Sequence, residues 1–325
     1  MIKPDYKTLL NEMNGAVRWH LFETSIKLKV FDYLQGWQTA GFIAGKLNTD
    51  EKKTELYLDA LASCGYLIKY CGRYRNADIS NKYLTTHSGL YQGTLILSLS
   101  SRRLAGIDNI SKLLKNDADD MYLGDEKVWT EALKTLIPFQ KAVASEVVSL
   151  IKGLKGSDNF SSMLDIGGGP GFIGQTVAQS LKNIHLTLFD LPKVIELAEQ
   201  NAEIKNITYL AGSYSKDDIG SNYDIIWASR SLYYADDIFR LVSKMADALK
   251  DGGYLICLHE GVYNERTQPQ EIILNRIGVA LKGSDVSFER GEIEYAVQKS
   301  GLQIISTIST DDIGGSGDII TARKI

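Results

Sequence analysis

Histidine and cysteine are scarce in this chain, four and three in 325 residues. Cys64, Cys71 and Cys257 are scattered, and an odd count in a chain of this length does not build a disulfide framework. His20, His87, His185 and His259 stand nowhere at metal-ligand spacing, so no metal cofactor is expected. Any general base has few histidines to draw on. No apolar run approaches the ~20 residues that a membrane span needs. No block of Lys and Arg breaks the formal net charge of −4, which removes the electrostatic footprint for nucleic acid or an anionic membrane. The opening Met1-Ile2-Lys3-Pro4-Asp5-Tyr6-Lys7 lacks the apolar stretch of a signal peptide, which reads as a cytoplasmic protein. What is present is globular in texture, 44% hydrophobic and 23% charged. At roughly 150 residues per domain, the length suits about two domains.

The first part of the chain reads as helical. Val17, Leu21, Ile26, Leu28, Val30, Phe31 and Leu34 fall largely on one helical face. A short helix over 39–48 and a longer one over 54–64 follow, with Gly65 as C-cap. Residues 66–75 then read as two short strands around Gly72, a hairpin wing. Helix, helix, helix, wing is a winged-helix pattern, but no basic recognition helix accompanies it, so dimerisation through apolar faces suits it better than DNA reading. Helical segments continue to a Gly-rich break at Gly153 and Gly156-Ser157-Asp158. From Ser162 short apolar runs alternate with helices, which predicts an α/β fold with a parallel, doubly wound sheet. Residues 302–308 and 317–322 predict a closing antiparallel hairpin. The expected partition is 1–100, a winged-helix-like domain; 101–157, a helical linker; and 158–325, the sheet domain.

The chemistry concentrates where the first strand of that sheet meets its helix, at Leu164-Asp165-Ile166-Gly167-Gly168-Gly169-Pro170-Gly171. Glycines such as Gly167 and Gly169 let the backbone approach a ligand closely. A dinucleotide is the obvious competitor, but Asp165 would set a carboxylate where a pyrophosphate should lie. After the second strand, Asp190 in Phe189-Asp190-Leu191-Pro192 is placed to accept hydrogen bonds from ribose hydroxyls. An adenosyl ligand with a ribose, no phosphate and a positive charge is S-adenosylmethionine. The bland alternative is a tight strand–helix turn in which Asp165 is only a cap.

These residues, together with Lys193-Val194-Ile195, resemble the class I methyltransferases of the plant-type O-methyltransferase family, which includes the caffeic acid and acetylserotonin enzymes. The resemblance covers nearly the whole chain. Lys29-Val30-Phe31-Asp32-Tyr33-Leu34 and Leu58–Leu67 are similar to the family's dimerisation domain. It implies a Rossmann-like sheet of seven strands, S-adenosylmethionine with S-adenosylhomocysteine as product, a homodimer and a small-molecule acceptor. It also implies ligand contacts from Leu191, from Gly212, Ser213 and Tyr214, and from Ser229 and Arg230 at the end of the fourth strand. Tyr214 keeps an aromatic to face the adenine, whereas Ser213 replaces an acid. Met121, Tyr122, Trp129 and Phe139 fall where the family lines its acceptor pocket, which implies an aromatic or otherwise apolar acceptor.

One departure from the family is instructive. Tyr233 stands where its general-base histidine would be. A phenol with a pKa near ~10 is a poor base at neutral pH. Glu260 and Glu289 match the two carboxylates that orient that histidine, and beside a phenol they would raise its pKa further. Tyr233 is then either a donor that orients substrate, with Glu260 or Glu289 as proton acceptor, or pocket filler. His259, next to Glu260 in a strand, should point to the opposite face as a buried structural residue. The expected activity is methyl transfer to a hydroxyl or an activated carbon of a small aromatic metabolite. The alternatives are a homologue that binds the ligand without transfer, and a winged-helix regulator.

Overall fold

The structure, a computed structural model, describes residues 6–104, 107, 110–115, 133–134, 136–181, 183–281, 285–312 and 315–325. The chain divides into two compact units, Met1–Leu97 and Ser98–Ile325.

In the first unit, α1 (Tyr6–Lys27) stops where Lys29 turns left-handed at φ 53°, and a 3₁₀ turn covers Val30–Tyr33. Thr39 caps α2 (Ala40–Leu47) by accepting from Phe42 N, and Asp50 caps α3 (Glu51–Ser63) by accepting from Lys53 N. β2 (Leu67–Tyr70) and β3 (Arg73–Asn76) form the wing, with β1 (Gln38–Thr39) as a third strand and α4 (Asp78–Tyr83) after it. Cys71 and Gly72 both take positive φ, as a two-residue hairpin turn requires. The unit's core joins Ile26, Val30, Phe31, Leu34, Ile43, Leu58, Leu61 and Tyr74. Two residues of the expected apolar face depart from it: Val17 and Leu28 are exposed, as are Leu9, Leu10 and Met13 of α1.

α5 (Gly93–Arg103) carries the division between the units, and α6 (Ile110–Leu113) and α7 (Ile137–Lys152) follow. The sheet runs β11-β12-β8-β7-β4-β5-β6, with β4 (Ser162–Ile166), β5 (His185–Asp190), β6 (Ile207–Ala211), β7 (Tyr223–Ser229) and β8 (Leu249–His259) parallel. β11 (Gln303–Asp312) and β12 (Gly315–Arg323) close it as the expected antiparallel hairpin. A short parallel pair, β9 (Gly261–Val262) and β10 (Phe288–Glu289), lies beyond β8. The helices are α8 (Phe172–Ser180), α9 (Pro192–Gln200), α10 (Ile238–Ala248), α11 (Gln270–Ala280) and α12 (Glu292–Lys299).

Side-chain alternation splits the core between the two faces of the sheet. Leu164, Ile166, Ile226 and Ala228 join Leu241, Val242 and Met245 of α10 and Ala296 and Val297 of α12. Met163, Ile225 and Trp227 join Ile173 and Val177 of α8 and Ala144, Val147, Val148 and Ile151 of α7. The described helix of the expected linker, α7, thus packs as a layer of the sheet unit. The order of strands reverses between β4 and β7, and ligands of open α/β sheets bind at the carboxyl ends beside such a reversal. Gly167, Asp190 and Arg230 all sit at that edge. Among the described residues no helix is long and apolar enough to cross a membrane.

Candidate functional site

The loop after β4 is held from three sides. Gly167 takes φ 67°, its N–H donates to Phe189 O, and a Cβ there would lie 2.4 Å from the Cβ of Ser231. Only glycine permits that approach. Gln140 of α7 grips the same loop with both ends of its amide. Its Nε2 donates to Gly168 O at 3.0 Å, and its Oε1 accepts from Phe172 N at 2.9 Å, which caps α8. No local pattern announces Gln140, because its partners lie about thirty residues downstream.

Two carboxylates flank the loop. Asp165 shares the face of Met163, beneath α8, and is 2% exposed. Its Oδ2 accepts from Gly174 N at 3.2 Å. Burial pushes its pKa up to about 7; the Gly174 bond works against this and the charge of Asp190 with it. Asp190, at the end of β5, accepts from Gly169 N at 2.9 Å and from Leu191 N at 2.7 Å. Burial raises it to about 6 against those two bonds. Neither carboxylate has an ion-pair partner among the described residues. A cation or a set of hydroxyls is what such a pair accepts, and a pyrophosphate is what it repels. The residues therefore fit a positively charged nucleoside, S-adenosylmethionine. Gly169 and Asp190 stand where it would be held, while Asp165 acts from behind the loop.

Gly212 N donates to Asp190 O, and Ser213 N donates to Asp217 Oδ2 at 2.8 Å. Tyr214 reaches across to the end of β7, where its hydroxyl donates to Ser231 O at 2.6 Å. Burial holds that phenol well above its ordinary pKa, so it remains a donor. Ser231 Oγ donates in turn to Ile166 O. Tyr214, Ser231 and the start of the glycine loop therefore form one connected run. Leu191 opens α9, with Pro192 at its first position.

At the carboxyl end of β7 and β8 the expected catalytic residues separate. Ser229 ends β7 opposite Leu258. Arg230, left-handed at φ 50°, reaches the end of β8 and the start of β12: Nε donates to Glu260 Oε1 at 3.0 Å and Nη2 to Gly315 O at 2.9 Å. The same group lies 5.9 Å from the ring of Phe139, which is buried. Arg276 of α11 takes the second oxygen of Glu260, at 3.1 Å. Glu260 is thus clamped between two guanidinium groups, one on each carboxylate oxygen. Tyr233 sits in a 3₁₀ turn (Leu232–Tyr234), its hydroxyl accepting from Glu260 N at 3.3 Å. Its ring stacks on Phe288 at 5.3 Å, and the Arg276 guanidinium lies over it at 4.2 Å.

Glu289 does not join them. β10 alternates, so Phe288 faces Tyr233 while Glu289 is exposed and pairs with Arg266. That corrects the expectation of a carboxylate beside Tyr233 from this position. His259 is buried, and its Nε2 accepts from Ser231 N at 3.3 Å and Leu232 N at 3.1 Å. The proton therefore belongs on Nδ1. Burial first, then Arg230 and Arg276, keep this ring's pKa well below the ordinary value, so it is neutral and structural. Met121, Tyr122 and Trp129 lie outside the described residues. Among the described residues, no group of three or more His, Cys, Asp and Glu side chains could hold a metal ion.

Comparison with known proteins agrees with this geometry. The chain is 24% identical over 99% of its length to a human protein named a probable bifunctional dTTP/UTP pyrophosphatase/methyltransferase, of which it spans 54%, about half. It is 26% identical to acetylserotonin O-methyltransferase of Gallus gallus, over 98% of both chains. The crystal structure of human N-acetylserotonin methyltransferase in complex with SAM superposes with a TM-score of 0.74 at 22% identity, covering 100% of this chain and 99% of that one. The O-methyltransferase dimerisation domain matches residues 10–86. The O-methyltransferase domain matches residues 123–301, more than half of the chain, and with the glycine loop at the strand reversal this places the protein in the O-methyltransferase family.

Proposed function

We propose that the chain is an S-adenosylmethionine-dependent methyltransferase acting on a hydroxyl of a small aromatic metabolite, and that it works as a homodimer through its first unit. The observation that carries the reading is the pair Asp165 and Asp190, carboxylates of raised pKa with no ion-pair partner among the described residues, flanking a loop in which a Cβ at Gly167, Gly168 or Gly171 would clash. When bound, S-adenosylmethionine supplies an electrophilic methyl group on a sulfonium.

The chain's own residues do the rest by holding and excluding. Asp190 is oriented by two backbone N–H donors to accept from ribose hydroxyls. Gln140 fixes the loop height from α7. Tyr214 ties the loop after β6 to Ser231, so the walls of the adenosine site and the turn bearing Tyr233 move together. Positioning of this kind contributes several kcal/mol when acceptor and methyl are brought in line. Tyr233 keeps its place through Glu260 N and the Phe288 ring, and acts as a wall and hydrogen-bonding group, not as a base. A homologue that binds the ligand without transferring the methyl has no structural observation in its favour.

Titration calorimetry checks the cofactor assignment. Micromolar binding of S-adenosylmethionine and S-adenosylhomocysteine is expected. Absence of heat with both ligands would overturn it.

A further inference from the structure

We propose that Arg276 is an acceptor-binding residue and that the acceptor enters the site as an oxygen anion, a phenolate or a carboxylate. This rests on the methyltransferase reading above.

Three observations converge. First, the acceptors that the sequence offers for this position, Glu260, His259 and Glu289, are all engaged by other groups. Both oxygens of Glu260 are taken by guanidinium groups, His259 spends Nε2 on two backbone N–H groups, and Glu289 faces Arg266 on the other side of β10. Second, the position is cationic. The Arg276 guanidinium lies over the Tyr233 ring, its carbon 4.2 Å from the ring centre, with its side chain only 19% exposed. Third, that cation has donors left over. A guanidinium carries five N–H donors; Arg276 spends one on Glu260 and one, at 3.4 Å, on Ser287 Oγ. The remaining donors have no acceptor among the described residues. Their setting is the turn that follows Ser231, whose Cβ abuts Gly167 of the cofactor loop.

A planar fork with free donors matches an oxyanion, and a partly buried one binds it more strongly than a solvated cation does. The chemistry balances without a base. An acceptor already ionised uses its oxygen lone pair to form the O–CH3 bond while the S–CH3 bond breaks with its pair remaining on sulfur. An oxyanion and a sulfonium become two neutral products, and no proton has to leave. Cation–π contact with Tyr233 and the bridge to Glu260 hold Arg276 in place for this. Tyr233 is then the platform under the guanidinium, which accounts for an aromatic where a base would otherwise be needed.

The test uses full-length protein saturated with S-adenosylhomocysteine and matched pairs of probes: 4-nitrophenol and 4-nitroanisole, benzoate and benzamide. Calorimetry should show the acidic member of at least one pair binding about tenfold or more tighter than its neutral partner, the scale of one charged hydrogen bond. The phenol pair and the benzoate pair separate the two oxyanion sources. Bound 4-nitrophenol should show its ionised absorption band at a pH about one unit or more below that for the free compound, a shift equivalent to tenfold. Arg276→Met should abolish both effects while leaving S-adenosylhomocysteine affinity unchanged, and Arg276→Lys should keep part of them. Neutral members binding as well as the acids, or no acid binding at all, would overturn the proposal. Because cofactor binding is measured first, a failure of the methyltransferase reading shows separately, as absent heat with S-adenosylhomocysteine.

Discussion

A carboxyl group that burial holds at about 7 is partly protonated near neutral pH, and Asp165 is in that state when the site is empty. Asp190, at about 6, follows it. A cationic ligand favours the charged forms of both, so binding below pH 7 releases protons. Affinity for S-adenosylmethionine should therefore fall as pH drops from about 7 to 5, and calorimetry at pH 6 in buffers of different ionisation enthalpy should detect the released protons. The empty protein should change in the opposite sense. Both folded pKa values lie above the ordinary carboxyl range, so the folded state binds more protons than the unfolded chain between about pH 4 and 7, and stability declines as pH rises through that window. A thermal melt series without ligand checks the sign. Tyr233→Phe removes an acceptor from Glu260 N and no base. It should cost about 1 kcal/mol of stability and leave most of the turnover. Loss of activity with unchanged S-adenosylmethionine binding would instead give the hydroxyl a direct part in the reaction.

α7 shows how an element far away in sequence sets a site. Gln140→Ala leaves Phe172 N uncapped and Gly168 O without its donor. A loss of about 1–2 kcal/mol in stability is expected, with weaker S-adenosylmethionine binding as the loop relaxes. Calorimetry of this variant beside a chemical melt separates the two effects. On contacts of this range the sequence is silent. The glycine loop, Asp190 and the alternation of strands and helices were legible because their signals are local, a turn chemistry and a period. Gln140 was not legible, since both its partners are tertiary. The alternation that sends Phe288 inward and Glu289 outward could not be oriented without β9 beside it. The clamp on Glu260 needed α11, which no motif marks.

Over the molecule, the first unit carries an apolar stripe with no cover among the described residues. Leu9, Leu10, Met13 and Val17 recur at helical spacing along α1 and are 54–62% exposed. The sequence periodicity puts Val17 on an apolar face without saying what that face packs against. A second copy of the chain is the expected partner, consistent with the dimerisation domain matched over residues 10–86. Met13→Asp should shift the protein from dimer to monomer in sedimentation at micromolar concentration, while the second unit still binds S-adenosylmethionine. A dimer unaffected by this charge would place the interface elsewhere.

The amide of Gln140 also bears on modularity. β4, the glycine loop and α8 look like a portable cassette, a contiguous stretch that could be transplanted to another sheet. Yet the loop's set point is stored in a helix that precedes it, and one amide reads two backbone groups of opposite polarity. A graft beginning at Ser162 would carry the glycines and leave behind the part that holds them at the right height. The smallest transferable unit therefore begins at Ile137, with the helix that precedes the first strand.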